Sequence, residues 1–210
     1  MKVLNLYAGI GGNRKLWKDV EVTAVENNKS IAKIYQNNFP DDKVIICDAH
    51  KYLLEHYKEF DFIWSSPPCQ THSGCNIFLN AQGVIRYPDM KLWQEILFLK
   101  QFAKKRWVVE NVISYYEPFI KPQKIGRHCF WSNFNTMGYE GKFTKVGRFG
   151  PTKKGRTDEK LQIKRNCVNS ELGLHVFKCA FKIKQQTLSS HNPPNSSQMS
   201  ENHIGKKQNP

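Results

Sequence analysis

LNLYAGIGG, Leu4 to Gly12, changes character halfway along. Leu4, Leu6 and Tyr7 belong to a short apolar run that begins at Lys2. Ala8-Gly9-Ile10-Gly11-Gly12 then breaks it, and NRKLWKDV follows. A short apolar run closed by glycines and followed by a mixed polar stretch reads as a strand, a tight turn and a helix. Glycine in such a turn lets the backbone approach a ligand closely. The G-x-G-G spacing lacks the full dinucleotide fingerprint, and no GKS or GKT marks a phosphate cradle. What the turn holds must be read from the elements that follow.

The same unit repeats. Val20–Val25 reads as a second strand closing on Glu26, and Lys29–Phe39 as a helix stopped by Pro40. Val44–Cys47 reads as a third strand closing on Asp48, followed by a helix over His50–Lys58. Asp61–Trp64 is a fourth strand running into Pro67-Pro68-Cys69. Asp89 is placed to cap a helix reaching Ala103, with Leu92, Ile96, Leu99 and Phe102 on one face. Arg106–Val109 is a fifth strand closing on Glu110-Asn111, and His128–Phe134 a further strand. This alternation predicts an α/β fold with an open, mostly parallel sheet of Rossmann-like type. Ligands of such sheets sit at the carboxyl ends of the strands. Gly9, Glu26, Asp48, Cys69 and Glu110 all fall at such ends, which predicts one shared site.

Charge divides the chain. The net charge is +14: zero over residues 1–90, +4 over 91–140, +9 over 141–184 and +1 over the last 26 residues. A neutral front and a basic back predict a polyanion, nucleic acid, docking against the back. No apolar run approaches the ~20 residues of a membrane span. MKVLNLYAG is too short in its apolar part for a secretory signal, so the expectation is a cytoplasmic protein with reduced cysteines. None of the six cysteines forms a CxxC pair, and no metal is assigned.

Glu26, at the second strand's end, is placed to accept ribose hydroxyls, and Asp48 to take an adenine amino group. Together they describe a nucleoside pocket, and S-adenosylmethionine fits an adenosine cofactor that needs no phosphate cradle. Cys69 follows two stiff prolines on a loop, where a thiol is pre-ordered for attack. Glu110, ending a neighbouring strand in apolar surroundings, suits a general acid.

With these residues in view, the chain resembles the DNA (cytosine-5) methyltransferases, of the compact kind found in bacteriophages and restriction-modification systems. LNLYAGIGG is similar to the family's first motif, with Tyr7 where phenylalanine is usual. PPCQ at Pro67–Gln70 is similar to the catalytic motif, and Glu110-Asn111-Val112 to ENV. Gln123-Lys124-Ile125-Gly126-Arg127 resembles QxRxR with Ile125 in place of the first arginine. Arg165 to Phe177 resembles the ninth motif through Arg165 and Glu171.

The resemblance implies S-adenosylmethionine held by Tyr7, Ala8, Gly9, Ile10, Gly11, Gly12, Glu26, Asn27, Asp48, Ala49 and Pro67. It implies catalysis by Cys69 attacking C6 of a flipped cytosine in double-stranded DNA. Glu110 would hold N3, Arg127 would hold O2, and Asn111 would order the Cys69 loop. Gln70, Ser73, Gln123 and Arg165 would contact DNA, and residues 71–90 would form a closing loop. The implied organisation is a catalytic domain over 1–130, a short target-recognition segment over 131–164, a family-like segment over 165–188 and a disordered tail over 189–210, in a monomer. His72, where an aromatic residue is usual, is expected either to alter loop closure or to stand as a solvent-exposed loop histidine. The tenth motif, a helix that helps close the cofactor site, finds no match, which predicts weak cofactor binding. A tRNA cytosine-5 methyltransferase and a non-catalytic nucleic-acid binder are the alternatives.

Overall fold

The structure is a computed structural model that describes residues 1–142 and 167–181. Arg165, the tail from 189 and most of the expected recognition segment lie outside the described residues.

Among the described residues seven strands form one sheet: β1 (Lys2–Leu6), β2 (Glu21–Val25), β3 (Lys43–Ile45), β4 (Phe62–Ser65), β5 (Arg106–Val112), β6 (Gln123–Ile125) and β7 (His128–Ser132). Their order is β3-β2-β1-β4-β5-β7-β6. The first five strands are parallel, and β7 and β6 are antiparallel additions at one edge. The sequence order reverses between β1 and β4, so their carboxyl ends diverge and leave a crevice. The fold is Rossmann-like α/β, as the alternation of short apolar runs predicts.

The strands are apolar on both faces because both faces are covered. Leu4, Leu6, Ile63, Trp107 and Val109 pack on one side with Leu53 of α2 (Ala49–His56) and with Leu92, Ile96 and Leu99 of α4 (Lys91–Phe102). Val3, Val22, Phe62, Trp64 and Val108 face the other way, against Trp17 and the Leu172, Val176 and Phe177 side chains of α5 (Ser170–Ala180). A further helix, α1 (Lys29–Asn38), seats Tyr35 against Ala8 and Ala24, and its N-cap Asn28 accepts from the amides of Ser30 and Ile31. Among the described residues no helix is long and apolar enough to cross a membrane.

Two expectations fail. No helix follows the glycine turn. The chain there runs in single turns, with Arg14 N donating to Gly11 O and Trp17 N to Arg14 O. Side chains that a helix would hold outward are turned inward: Asn13 donates to Asn5 Oδ1 at 2.9 Å, and Arg14 forks onto Asp42 at 2.9 and 3.0 Å. Phe102 is 55% exposed and not on the core face of α4, which runs through Leu92, Trp93, Ile96 and Leu99. Phe102 sits on the helix's last turn, its ring 5.4 Å from that of the neighbouring Phe98.

Candidate active site

A cleft of about 590 Å³ opens where the sheet order reverses. The glycine turn after β1 and the Glu26 end of β2 form one half. The Pro-Pro-Cys turn after β4, the Glu110 end of β5 and the Arg127–His128 start of β7 form the other.

In the first half Tyr7, Ala8, Gly9, Ile10 and Gly12 line the wall beside Glu26 and Asn27. The Glu26 carboxylate ties the turn to β2: Oε2 accepts from Gly9 N at 3.0 Å and Oε1 from Asn28 N at 2.9 Å. Each oxygen keeps a lone pair for a ligand hydroxyl. Tyr7 takes a left-handed conformation, φ 54°, uncommon for an aromatic residue. Its hydroxyl is fastened from behind, donating to Glu95 Oε1 at 2.6 Å. Burial and the Glu95 charge push the Tyr7 phenol far up, so it stays a donor. Ser65 donates to Glu95 Oε2 at 2.6 Å, and His50 Nδ1 lies 3.0 Å from Oε1. Glu95 is completely buried and fully partnered, which is what a buried carboxylate requires. Sequence reading missed it: on a helix face otherwise apolar, only the sheet shows that Glu95 lies under the Tyr7 turn.

The wall opposite the glycine turn comes from far along the chain. Cys167 and Val168 line the cleft and lead into α5 through its N-cap Asn169. Contact is so close that a Cβ on Gly12 would lie 2.7 Å from the Val168 carbonyl oxygen and 2.8 Å from the Cys167 Cβ. Gly173 likewise leaves room for the Asn13 backbone, where a Cβ would stand 2.7 Å from Asn13 Cα. The stretch read as similar to a ninth motif, Arg165 to Phe177, thus supplies most of α5, which packs on the segment after the glycine turn.

In the second half Pro67, Cys69, Gln70 and Ser73 line the cleft with Glu110 and Arg127. Asn111 is buried behind them and donates to Pro67 O at 3.0 Å, binding the tip of β5 to the Pro-Pro-Cys turn. Burial pushes the Cys69 thiol up, the Glu110 carboxylate pushes it the same way, and the Arg127 guanidinium pulls it down. Behind Cys69 the chain is tied rather than loose. His72 and Ser73 amides donate to Cys69 O at 3.0 Å, Asn76 Nδ2 to Gln70 O at 2.8 Å, and Tyr115 N to His72 O at 3.0 Å. The short helix α3 (Asn76–Ala81) follows. His72 is not in solvent: it is 1% exposed, with Nδ1 2.6 Å from the Tyr116 hydroxyl, and burial lowers its pKa. The apolar ring cluster of Trp93, Tyr116 and Phe119 draws it in.

Several residues read as site residues stand elsewhere. Asp48 is the N-cap of α2, accepting from Lys51 N at 2.9 Å, and that bond holds its carboxyl below the usual range. Neither Asp48 nor the adjacent Ala49 lines the cleft. Gly11 faces away, toward the Phe39 ring. Gln123 is internal: Nε2 donates to Ser132 Oγ and Phe134 O, and Oε1 accepts from Thr136. Conversely, His128 was not singled out and stands in the cleft. Its signal was its place two residues before buried Phe130 on a strand, a spacing that puts both on one face.

Over 76 residues the chain is 34% identical to a tRNA (cytosine(38)-C(5))-methyltransferase of Spodoptera frugiperda, covering 33% of this chain and 23% of that protein. A solved Spodoptera frugiperda DNMT2 mutant shares 28% identity at a TM-score of 0.40, over 53% of this chain and 35% of that one. A putative DNA modification methyltransferase from an Escherichia coli prophage shares 18% at a TM-score of 0.39, over 56% and 33%. The matched region thus spans about a quarter of the curated relative and about a third of the two solved chains. The fold assignment rests on strand order and not on those scores. The glycine turn, the Pro-Pro-Cys turn and the Glu110 strand tip all fall within residues 1–144, the stretch that matches the C-5 cytosine-specific DNA methylases, and the chain belongs to that family.

Proposed function

We propose that the protein transfers a methyl group to C5 of cytosine in double-stranded DNA, using Cys69 as nucleophile and Glu110 as acid. The observation that carries this reading is the placement of the Cys69 thiol and the Glu110 carboxyl in one cleft that continues into the glycine turn. S-adenosylmethionine is the family's cofactor; when bound, it supplies the methyl group on an electrophilic sulfonium. The first half of the cleft suits it. The glycine turn and Val168 would hold the adenosine, and the spare lone pairs of Glu26 would accept from ribose hydroxyls.

Cytosine C5 is a weak nucleophile. Cys69 sulfur bonds to C6, and the displaced C5=C6 electrons become an enamine pair at C5. Glu110 gives its proton to N3, so charge does not accumulate on the ring. C5 takes the methyl group, whose bonding pair stays on the donor sulfur as a thioether. The C5 proton is lost to solvent, and its electrons re-form C5=C6 as the S–C6 bond breaks and releases the thiolate. N3 then returns its proton to Glu110. Arg127 holds O2 and favours the Cys69 thiolate, while Asn111 keeps the turn aimed. A base inside a duplex cannot reach this depth, so it is flipped out, at a cost of a few kcal/mol. The basic residues beyond 140 supply the phosphate contacts.

A tRNA substrate is the second reading, favoured by the match to the Spodoptera tRNA enzyme. Labelled S-adenosylmethionine offered with duplex DNA and with tRNA separates the two. Methylcytosine in DNA, lost in Cys69→Ser with DNA affinity retained, is the expected result. Transfer to tRNA alone overturns the DNA assignment, and Cys69→Ser protein that still transfers overturns the mechanism.

A further inference from the structure

We propose that His128 is the proton partner of Glu110, holding and returning the proton that Glu110 exchanges with N3 of the target cytosine. This inference rests on the reading of Glu110 as the acid and names the group that keeps it supplied.

The placement follows from strand register. Glu110 pairs with Phe130 across the antiparallel β5–β7 ladder, and Val112 pairs with His128. Two residues along a strand return to the same face, so Glu110 and His128 are diagonal neighbours on one side of the sheet. Their side chains meet: His128 Nδ1 lies 2.7 Å from Glu110 Oε1. Both residues are only 7% exposed, and both line the cleft. Among the described residues lining the cleft, His128 is the only histidine.

A contact of that length holds one hydrogen between nitrogen and oxygen. With no further proton, Nδ1–H donates to the carboxylate. With one further proton, the pair is imidazolium–carboxylate or imidazole–carboxylic acid. In the second form the added proton sits on Glu110 Oε2, while His128 Nδ1–H still donates to Oε1. Paired, Glu110 presents its Oε2–H to N3 whenever the pair carries its extra proton. Delivery leaves imidazole and carboxylate, and the N3 proton comes back when the S–C6 bond breaks. No other donor is consumed.

The same proton assists the nucleophile. An ionised Glu110 opposes the Cys69 thiolate, whereas a pair carrying its proton does not. The other titratable or charged groups lining the cleft among the described residues are Tyr7, Glu26, Cys69, Cys75, Arg127 and Cys167. Cys129 on β7 feels both Glu110 and Lys124 of β6.

Two experiments test the assignment. His128→Asn keeps an amide N–H facing Glu110 but cannot hold the proton. Single-turnover methyl transfer should fall on the order of 10- to 100-fold, the lower part of what a general acid contributes. S-adenosylmethionine and DNA affinities should stay within about twofold, and the shape of the pH–rate profile should change. A His128→Asn profile superposing on the parent's, with the rate within about twofold, overturns the proposal. The second experiment needs no turnover. The His128 ring nitrogens are followed by 15N NMR, with and without Glu110→Gln. The Nδ1 resonance should move in the variant, and an unchanged resonance overturns the pairing. Parent protein that methylates no nucleic acid, while the Nδ1 resonance still responds to Glu110→Gln, instead sinks the functional reading, and the proposed role falls with it.

Discussion

Replacing Trp17 with alanine tests whether α5 belongs to the same folded unit as the glycine turn. Trp17 is buried between them: its ring stacks on Phe177 at 5.2 Å, tilts against Trp64 at 5.7 Å and meets Phe62 edge-on at 6.1 Å. Its indole N–H donates to Gly173 O at 3.2 Å, joining positions 156 residues apart. Emptying a buried tryptophan site costs about 3–5 kcal/mol. The buried Gly173 carbonyl left without its donor adds about 1 kcal/mol. The sum, about 4–6 kcal/mol, is a large part of the 5–15 kcal/mol that holds an ordinary domain folded. Urea unfolding followed by far-UV circular dichroism reads the loss as a lower midpoint at similar slope. Trp17→Phe keeps the stacking area, loses the hydrogen bond, and should cost about 1–2 kcal/mol. Because Cys167 and Val168 enter the cleft from α5, the stabilisation conferred by saturating S-adenosylmethionine should also shrink in Trp17→Ala. A Trp17→Ala protein within about 1 kcal/mol of the parent would refute the packing of α5 on the sheet, and with it the closure of the cofactor half.

The remaining predictions follow the same geometry. Asp48→Ala removes the N-cap of α2 and should cost about 1 kcal/mol, with S-adenosylmethionine affinity by calorimetry changing less than about threefold; a loss beyond about tenfold would restore Asp48 as a cofactor ligand. Asn111→Ala frees the Pro67 carbonyl and with it the Cys69 turn, so the methyl-transfer rate should fall on the order of 100-fold with cofactor affinity nearly unchanged, since small misplacement of a reacting group is costly. Equal losses in rate and affinity would show general unfolding instead. His50 has its pKa raised, first by its hydrogen bond to Glu95 and against burial. A raised folded value means that the stabilisation is fully present below the ordinary imidazole range and disappears as pH rises through the folded value. The urea midpoints of parent and His50→Asn should therefore converge with rising pH, and a gap that widens contradicts the pair.

Strand tips could be read from sequence because parallel sheets make local statements. Each of β1, β2, β4 and β5 is a short apolar run ended by a polar or glycine residue, and the crossover rule then puts all those ends on one side. Gly9, Glu26, Cys69 and Glu110 needed nothing more to be placed together. Asp48 shows the limit. A carboxylate at a strand end is also a carboxylate just before a helix, and the backbone amide of Lys51 took it. His72 shows another: a histidine in a polar-looking loop is drawn inside by Trp93, Tyr116 and Phe119, which lie 21 to 47 positions further along.

What escaped the sequence shares a physical cause, which is that it depends on pairing between distant segments. The Glu110–His128 contact exists only because β5 and β7 run antiparallel in one register; a slip by a single residue would turn His128 to the opposite face. The meeting of Gly12 with Val168 exists only because α5 returns across the whole chain to cover Trp17. The two halves of the cleft are therefore specified differently. Convergence of the parallel strand tips brings thiol, carboxyl and glycine turn together, and any sequence with that alternation does so. Antiparallel pairing and the returning helix then decide which side chain meets Glu110 and how closely Val168 packs on the glycine turn. Differences in rate and cofactor affinity within such a fold should accordingly track residues like His128, Asn13 and Gly173, whose types make no sense in their own local sequence and full sense across the contact.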